Sequence, residues 1–198
     1  MSTATPALKE WAVVVHALLG GEQIIDLRKG GLREDGRHFD LPARRFWLYP
    51  TTEHQRPELL RDAYRAWPDL AVSAPVGQSI PILGYAEVTD VALITEAEDV
   101  AALDGKSIWT GDYAESRLNW KSRDPLWVLL LRVHRLLEPI TVEWNDDYGG
   151  CTSWVPLAGL PDDPTTLASE PALSDAAFGS RRKGTREALP AERWETEA

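Results

Sequence analysis

Residues 126–137, LWVLLLRVHRLL, decide the fold. The first half is an unbroken apolar run, far too short to cross a bilayer and of the length a buried strand needs. The second half sets Arg132, His134 and Arg135 among apolar neighbours, as when one face of a strand meets solvent. Pro139 is expected to end the strand, because it gives no N–H to a ladder. Outward from it, residues 81–94 hold another strand, with Gly84 as a bulge or bend. FWLY at 46–49 reads as a strand closed by Pro50, QIIDLR at 23–28 as a strand before a glycine turn, and 151–157 as a last strand after a turn at 146–150. Helices are expected at 57–67 and 108–120. A further helix is favoured from Thr5-Pro6 to Gly20-Gly21, although Val13-Val14-Val15 pulls towards a strand. Residues 71–78 read as loop.

Strands separated by irregular loops, with helices inserted and no regular βαβ rhythm, predict an α+β fold built on a small curled mixed sheet or barrel. Residues 1–160 form the single domain. Beyond Leu160, Pro, Asp, Thr, Ser and Ala dominate and hydrophobic spacing is lost, so 161–198 is expected to be a mostly disordered tail with a helical patch near its end.

Composition narrows the function. The net charge of −10 opposes non-specific binding to a polyanion. Charge is uneven, however. Arg28, Lys29, Arg33, Arg37, Arg44 and Arg45 face only Glu34, Asp35 and Asp40 in their stretch, so a local basic site stays open. The single Cys151 excludes an internal disulfide, and no signal peptide is read at the start, so a cytoplasmic location off the membrane is expected. No two of His16, His38, His54 and His134 stand at ligand spacing, so neither metal nor cofactor is expected.

Familiar chemistries fit poorly. Arg28-Lys29-Gly30-Gly31 offers charge and freely turning amides for an anion, yet lacks the Gly-Lys-Ser/Thr of a phosphate loop. The stretch after Tyr49 lacks a Nudix glutamate box, and Asp104-Gly105-Lys106 matches a nuclease triplet only by letters. More suggestive is FWLYPTTEHQ at 46–55. Trp47 and Tyr49 could stack a planar base while Thr51, His54 and Gln55 read its edge; the plainer alternative is that both rings fill the core. Trp109, Arg117 and Trp120 form a second aromatic–cationic group that also reads as an ordinary helix face. If the protein is an enzyme, His54 is the candidate base, with Glu53 or Glu87 orienting it.

ALKEWAVVVHALLGGEQIIDLRKGGLRE (7–34), FWLYPTTEHQ (46–55), GYAEVTDV (84–91), SIWTGDYAESRLNWK (107–121), PLWVLLLRVHRLLEP (125–139) and YGGCTSWVPL (148–157) resemble the hallmark stretches of a bacterial family known as domain of unknown function 1802. That family carries no known activity. The helix before QIIDLR, the Gly84–Val88 stretch and the late tryptophan-led strand also resemble, remotely, the ASCH branch of the PUA-like superfamily. That resemblance implies a small β-barrel binding RNA or a modified base in a cleft. Some ASCH domains hydrolyse acylated cytidines with a lysine and a threonine on the first strand; Gln23 and Asp26 stand in those places here, so that activity is not carried over. Three functions remain open: a PUA-like module binding a nucleotide or an RNA/DNA base, a metal-independent hydrolase of a small nucleotide-like substrate, and a non-catalytic protein-interaction domain.

Overall fold

A computed structural model describes residues 5–29, 43–52, 56–119, 126–150 and 152–195. Seven strands make one mixed sheet: β1 (Ala7–Trp11), β2 (Ile25–Lys29), β3 (Arg45–Thr51), β4 (Ile80–Ile94), β5 (Leu126–Val142), β6 (Trp154–Val155) and β7 (Ser169–Pro171). The order is β2-β5-β4-β3-β1-β6, with β7 also on β5. Among the described strands only β1 and β3 run parallel; every other strand pair is antiparallel. The α+β class with a small mixed sheet and inserted helices is therefore observed.

β5 runs through Pro139 rather than stopping before it. The register jumps from Gly84↔Arg135 to Ile82↔Ile140, so Pro139 sits in a bulge where its missing N–H interrupts no ladder pair. Gly84 has a tighter reason to be glycine. A Cβ there would lie 2.6 Å from Leu19 Cδ2 and run into the His134 carbonyl oxygen.

The first helix begins later than expected. Residues 7–11 are strand β1, paired with Trp47–Thr51, and α1 spans Ala12–Gly20. The valine run lies inside α1, which is buried on nearly every side: Ala12, Val13, Val14, Val15, Ala17, Leu18 and Leu19 are all buried, and only His16 and the terminal Gly20 are not. Gly21, at φ 73°, ends the helix in the left-handed conformation. Residues 57–67 form short 3-10 turns instead of a helix. The Arg61 N–H bonds Ile108 O and the Leu59 carbonyl takes the Thr110 N–H, so the backbone is already committed to a neighbouring segment. Helices α2 (Ala97–Ala102) and α3 (Gly111–Asn119) follow, the second shorter than the expected 108–120.

The expected disordered tail is corrected. Residues 161–195 dock on the sheet, through β7 on His134–Leu136 and through α4 (Asp175–Arg186). Asp90, its side chain 1% exposed, anchors α4: Arg182 approaches at 2.5 and 2.9 Å and Arg186 pairs with the same carboxylate. Arg193 pairs with Asp99 at 2.8 Å, and Trp194 is buried in the cluster formed by Ile94, Val100 and Leu126. The polar composition hid this because the segment is held by arginine–carboxylate pairs and by scattered apolar side chains, among them Phe178, Leu189 and Trp194, that follow no regular spacing.

Candidate functional site

β2 begins the strand order and β1 stands near its far end, and no strand pairing joins them among the described residues. Even so, Arg28 Nη1 of β2 lies 2.7 Å from Glu10 Oε2 of β1. The sheet therefore curls until its two ends face each other, and an ion pair spans the seam that no backbone ladder closes. A cavity of about 470 Å³ opens there, within the range of small-molecule sites.

Five segments supply its walls. β1 gives Lys9, Glu10 and Trp11; β2 gives Asp26, Leu27 and Arg28; β3 ends in Thr51; residues 109–117 give Trp109, Tyr113 and Arg117; and the loop after Tyr148 gives Gly150, Thr152 and Ser153. The aromatic wall is continuous. Trp11 meets Trp109 edge-on at 5.1 Å, and Trp109 leans on Tyr113 at 4.2 Å, with Arg117 over the Tyr113 ring at 5.9 Å. Buried Lys9 donates to the carbonyls of Tyr148 and Gly150, at 2.9 and 2.8 Å, and so ties the loop to β1.

Two carboxyls share the floor with Arg28. Glu10 accepts from the Trp11 N–H at 2.7 Å and from Arg28. Asp26 is 3% exposed, and its Oδ2 makes no hydrogen bond to any described residue. Arg28 stands 3.8 Å from that oxygen, within electrostatic range but beyond hydrogen-bond distance. Burial raises the Glu10 carboxyl to about 7, the Asp26 charge adds to the rise, and Arg28 opposes it. Burial likewise raises Asp26, against Arg28 and Arg117. Tyr113 is pushed up to about 12, mainly by burial.

The structure sorts the residues expected from sequence. Arg28, Thr51, Trp109 and Arg117 all line the cavity. Trp47 and Tyr49 do not: at 0% and 1% exposure both rings belong to the interior, so the expected stacking by this pair is corrected. Alternation did not separate their faces because β3 is buried along nearly its whole length, as a strand between two neighbours can be. Lys29 turns to α3, where its Nζ donates to the Leu118 carbonyl at 2.7 Å. Glu87 pairs with Arg45 at 3.2 Å and takes no part in the cavity wall. Gly30, Gly31, Glu53, His54, Gln55 and Trp120 lie outside the described residues. Gln23 is structural: it donates to the Ile25 carbonyl at 2.9 Å and accepts from the Ile108 N–H at 3.0 Å.

Sequence reasoning missed Lys9, Glu10, Trp11 and Tyr113 as site residues. The first three were hidden by reading 7–11 as helix. The available signal was Asp26, a carboxylate set between Ile25 and Leu27 at the start of β2, whose place in the site was likewise missed. Among the described residues no group of three His, Cys, Asp or Glu side chains could hold a metal ion, and no helix is long and apolar enough to cross a membrane.

Solved structures of the ASCH protein from Zymomonas mobilis are similar to this chain. The unmutated protein is 14% identical, with a TM-score of 0.44 over 78% of this chain and 88% of that one. A tyrosine-to-phenylalanine mutant is 14% identical, at 0.43 over 79% and 92%. A serine-to-alanine mutant is 15% identical, at 0.43 over 82% and 92%. Likeness this low carries no argument about the site. No curated protein matches the chain. The family model described as "Domain of unknown function (DUF1802)" matches residues 7–184, which takes in every segment of the cavity wall and most of the docked C-terminal arm. The chain therefore belongs to the DUF1802 family.

Proposed function

We propose that the seam cavity binds a nucleotide or a single RNA or DNA base. The observation that carries this reading is one cavity of about 470 Å³ that combines a three-ring aromatic wall with the carboxyls of Glu10 and buried Asp26, two arginines and the hydroxyls of Thr51, Thr152 and Ser153. A planar base needs a ring to lie against and polar groups to meet its edge. Cavity aromatics replace Trp47 and Tyr49 in that role. Arg28 is engaged by Glu10 and Lys29 by a carbonyl, so recognition rests on the base more than on phosphate. The test is calorimetric titration with nucleosides, mononucleotides and short oligonucleotides at low and high salt. Saturable binding that loses little affinity with salt and falls tenfold or more in Trp11→Ala supports the reading. A complete lack of saturable binding refutes it.

The two neighbouring carboxyls of Glu10 and Asp26 favour a second reading, a metal-independent hydrolase of a nucleotide-like substrate. A carboxyl near 7 can donate or accept a proton at neutral pH. Glu10 then takes the role first given to His54. Turnover of a nucleotide library, abolished by Glu10→Gln in a folded protein, is its test.

A further inference from the structure

Asp26 Oδ2 is a buried acceptor on the cavity floor with no donor among the described residues. A bare carboxylate oxygen inside a protein is unfavourable unless something supplies an N–H or O–H. The surrounding groups do not. Arg28 Nη1 is held 2.7 Å from Glu10 Oε2 and stops 3.8 Å short of Asp26. A backbone bond from Leu27 already serves the Asp26 carboxyl, and Glu10 accepts from Trp11 and Arg28. One unpaired acceptor, closed off from solvent in the free protein, thus stands beside a guanidinium on a residue that lines the cavity.

Building on the base-binding reading, we propose that Asp26 determines specificity in this cavity: its Oδ2 accepts a hydrogen bond from the exocyclic amino group of a nucleobase. The ligand class is an amino-bearing base or nucleoside, and Asp26 selects it against the same ring without the amino group. The physical basis is asymmetric. A ligand that brings the N–H satisfies a buried acceptor that the free protein leaves bare. A ligand without it fills the same volume, excludes water and strands that oxygen. Discrimination against the analogue lacking the donor is therefore large relative to the size of the change.

Three matched pairs of nucleosides test this: adenosine and purine riboside, cytidine and pyrimidin-2-one riboside, guanosine and inosine. Within each pair the second lacks only the amino group. Dissociation constants are measured by calorimetry on the full chain, wild type and Asp26→Ala. Asp26→Asn, which keeps the side-chain shape without the charge, guards against a folding defect, with circular dichroism as the check. In the pair whose ring fits, the amino member binds wild type about tenfold or more tightly, and the ratio collapses towards one in Asp26→Ala and shrinks in Asp26→Asn. Equal binding within every pair that binds, or a preference that persists in Asp26→Ala, overturns the assignment of Asp26 while leaving the base-binding reading in place. If none of the six binds, the base-binding reading itself fails and the specificity inference falls with it.

Discussion

Glu10→Gln isolates the electrostatic cost built into the seam. The wild-type carboxyl rises from an ordinary 4.5 to about 7 because burial and the Asp26 charge outweigh Arg28. That rise corresponds to about 3 kcal/mol between the folded and unfolded chains. The sign follows from which state holds the proton. Below 4.5 both states hold it, and the group contributes nothing to the pH dependence. Between 4.5 and about 7 the unfolded chain has released it while the folded chain has not, so stability falls as pH rises. Above 7 the loss is complete. Asp26, also raised, acts in the same direction. His134 acts oppositely: burial lowers it below 6.5, so folding gains as pH rises towards that value. A wild-type curve alone mixes these contributions, and comparison with Glu10→Gln separates them. Glutamine keeps the size of Glu10 and still accepts from the Trp11 N–H, but cannot ionise. Urea unfolding at intervals from pH 4.5 to 8 should show wild type losing about 2–3 kcal/mol relative to the variant, with Glu10→Gln the more stable protein at pH 8. Parallel curves for the two proteins would refute the claim that burial and the Asp26 charge outweigh the Arg28 pairing at Glu10.

Other expectations concern the frame that holds the site. Asp90→Asn removes the charge that two half-exposed arginines of α4 grip and should lower unfolding stability by about 2 kcal/mol, read by urea midpoint. Truncation after Pro161, which a disordered tail would tolerate, should instead lower the melting temperature and expose Ile94 and Val100, seen as increased dye binding. Gly84→Ala should destabilise by about 3 kcal/mol or prevent folding, because the new Cβ meets a backbone carbonyl that cannot yield. Trp47→Ala should cost about 3–5 kcal/mol of stability from a fully buried ring, whereas Trp11→Ala should affect ligand affinity more than folding.

Five of the seven strands, all but β1 and β7, were legible from apolar or β-branched runs in the sequence. β5 and β4 are examples, and Gly84 was readable as a special position. Where sequence reasoning erred, a tertiary partner had overridden a local signal. Thr5-Pro6 resembles a helix start, yet residues 7–11 find a ladder on β3. Pro57 resembles one too, yet Leu59–Arg61 bonds to residues 108–110. The C-terminal arm reads as polar and unstructured, yet its arginines meet Asp90 and Asp99. The site was half legible. Arg28, Thr51, Trp109 and Arg117 were singled out and do line one cavity. Glu10 and Asp26 were not paired, because β1 and β2 meet only when the sheet curls, and strand order is invisible in the chain.

Indole N–H resonances offer the most direct test of a base-binding seam, since Trp11 and Trp109 line it while Trp47 reports from the interior. Titration of an isotopically labelled protein with adenosine, cytidine and guanosine in turn should shift the signals of Trp11 and Trp109 for at least one of the three, and leave that of buried Trp47 in place. Unmoved Trp11 and Trp109 signals with every nucleoside, or shifts confined to tryptophans away from the seam, would contradict the account.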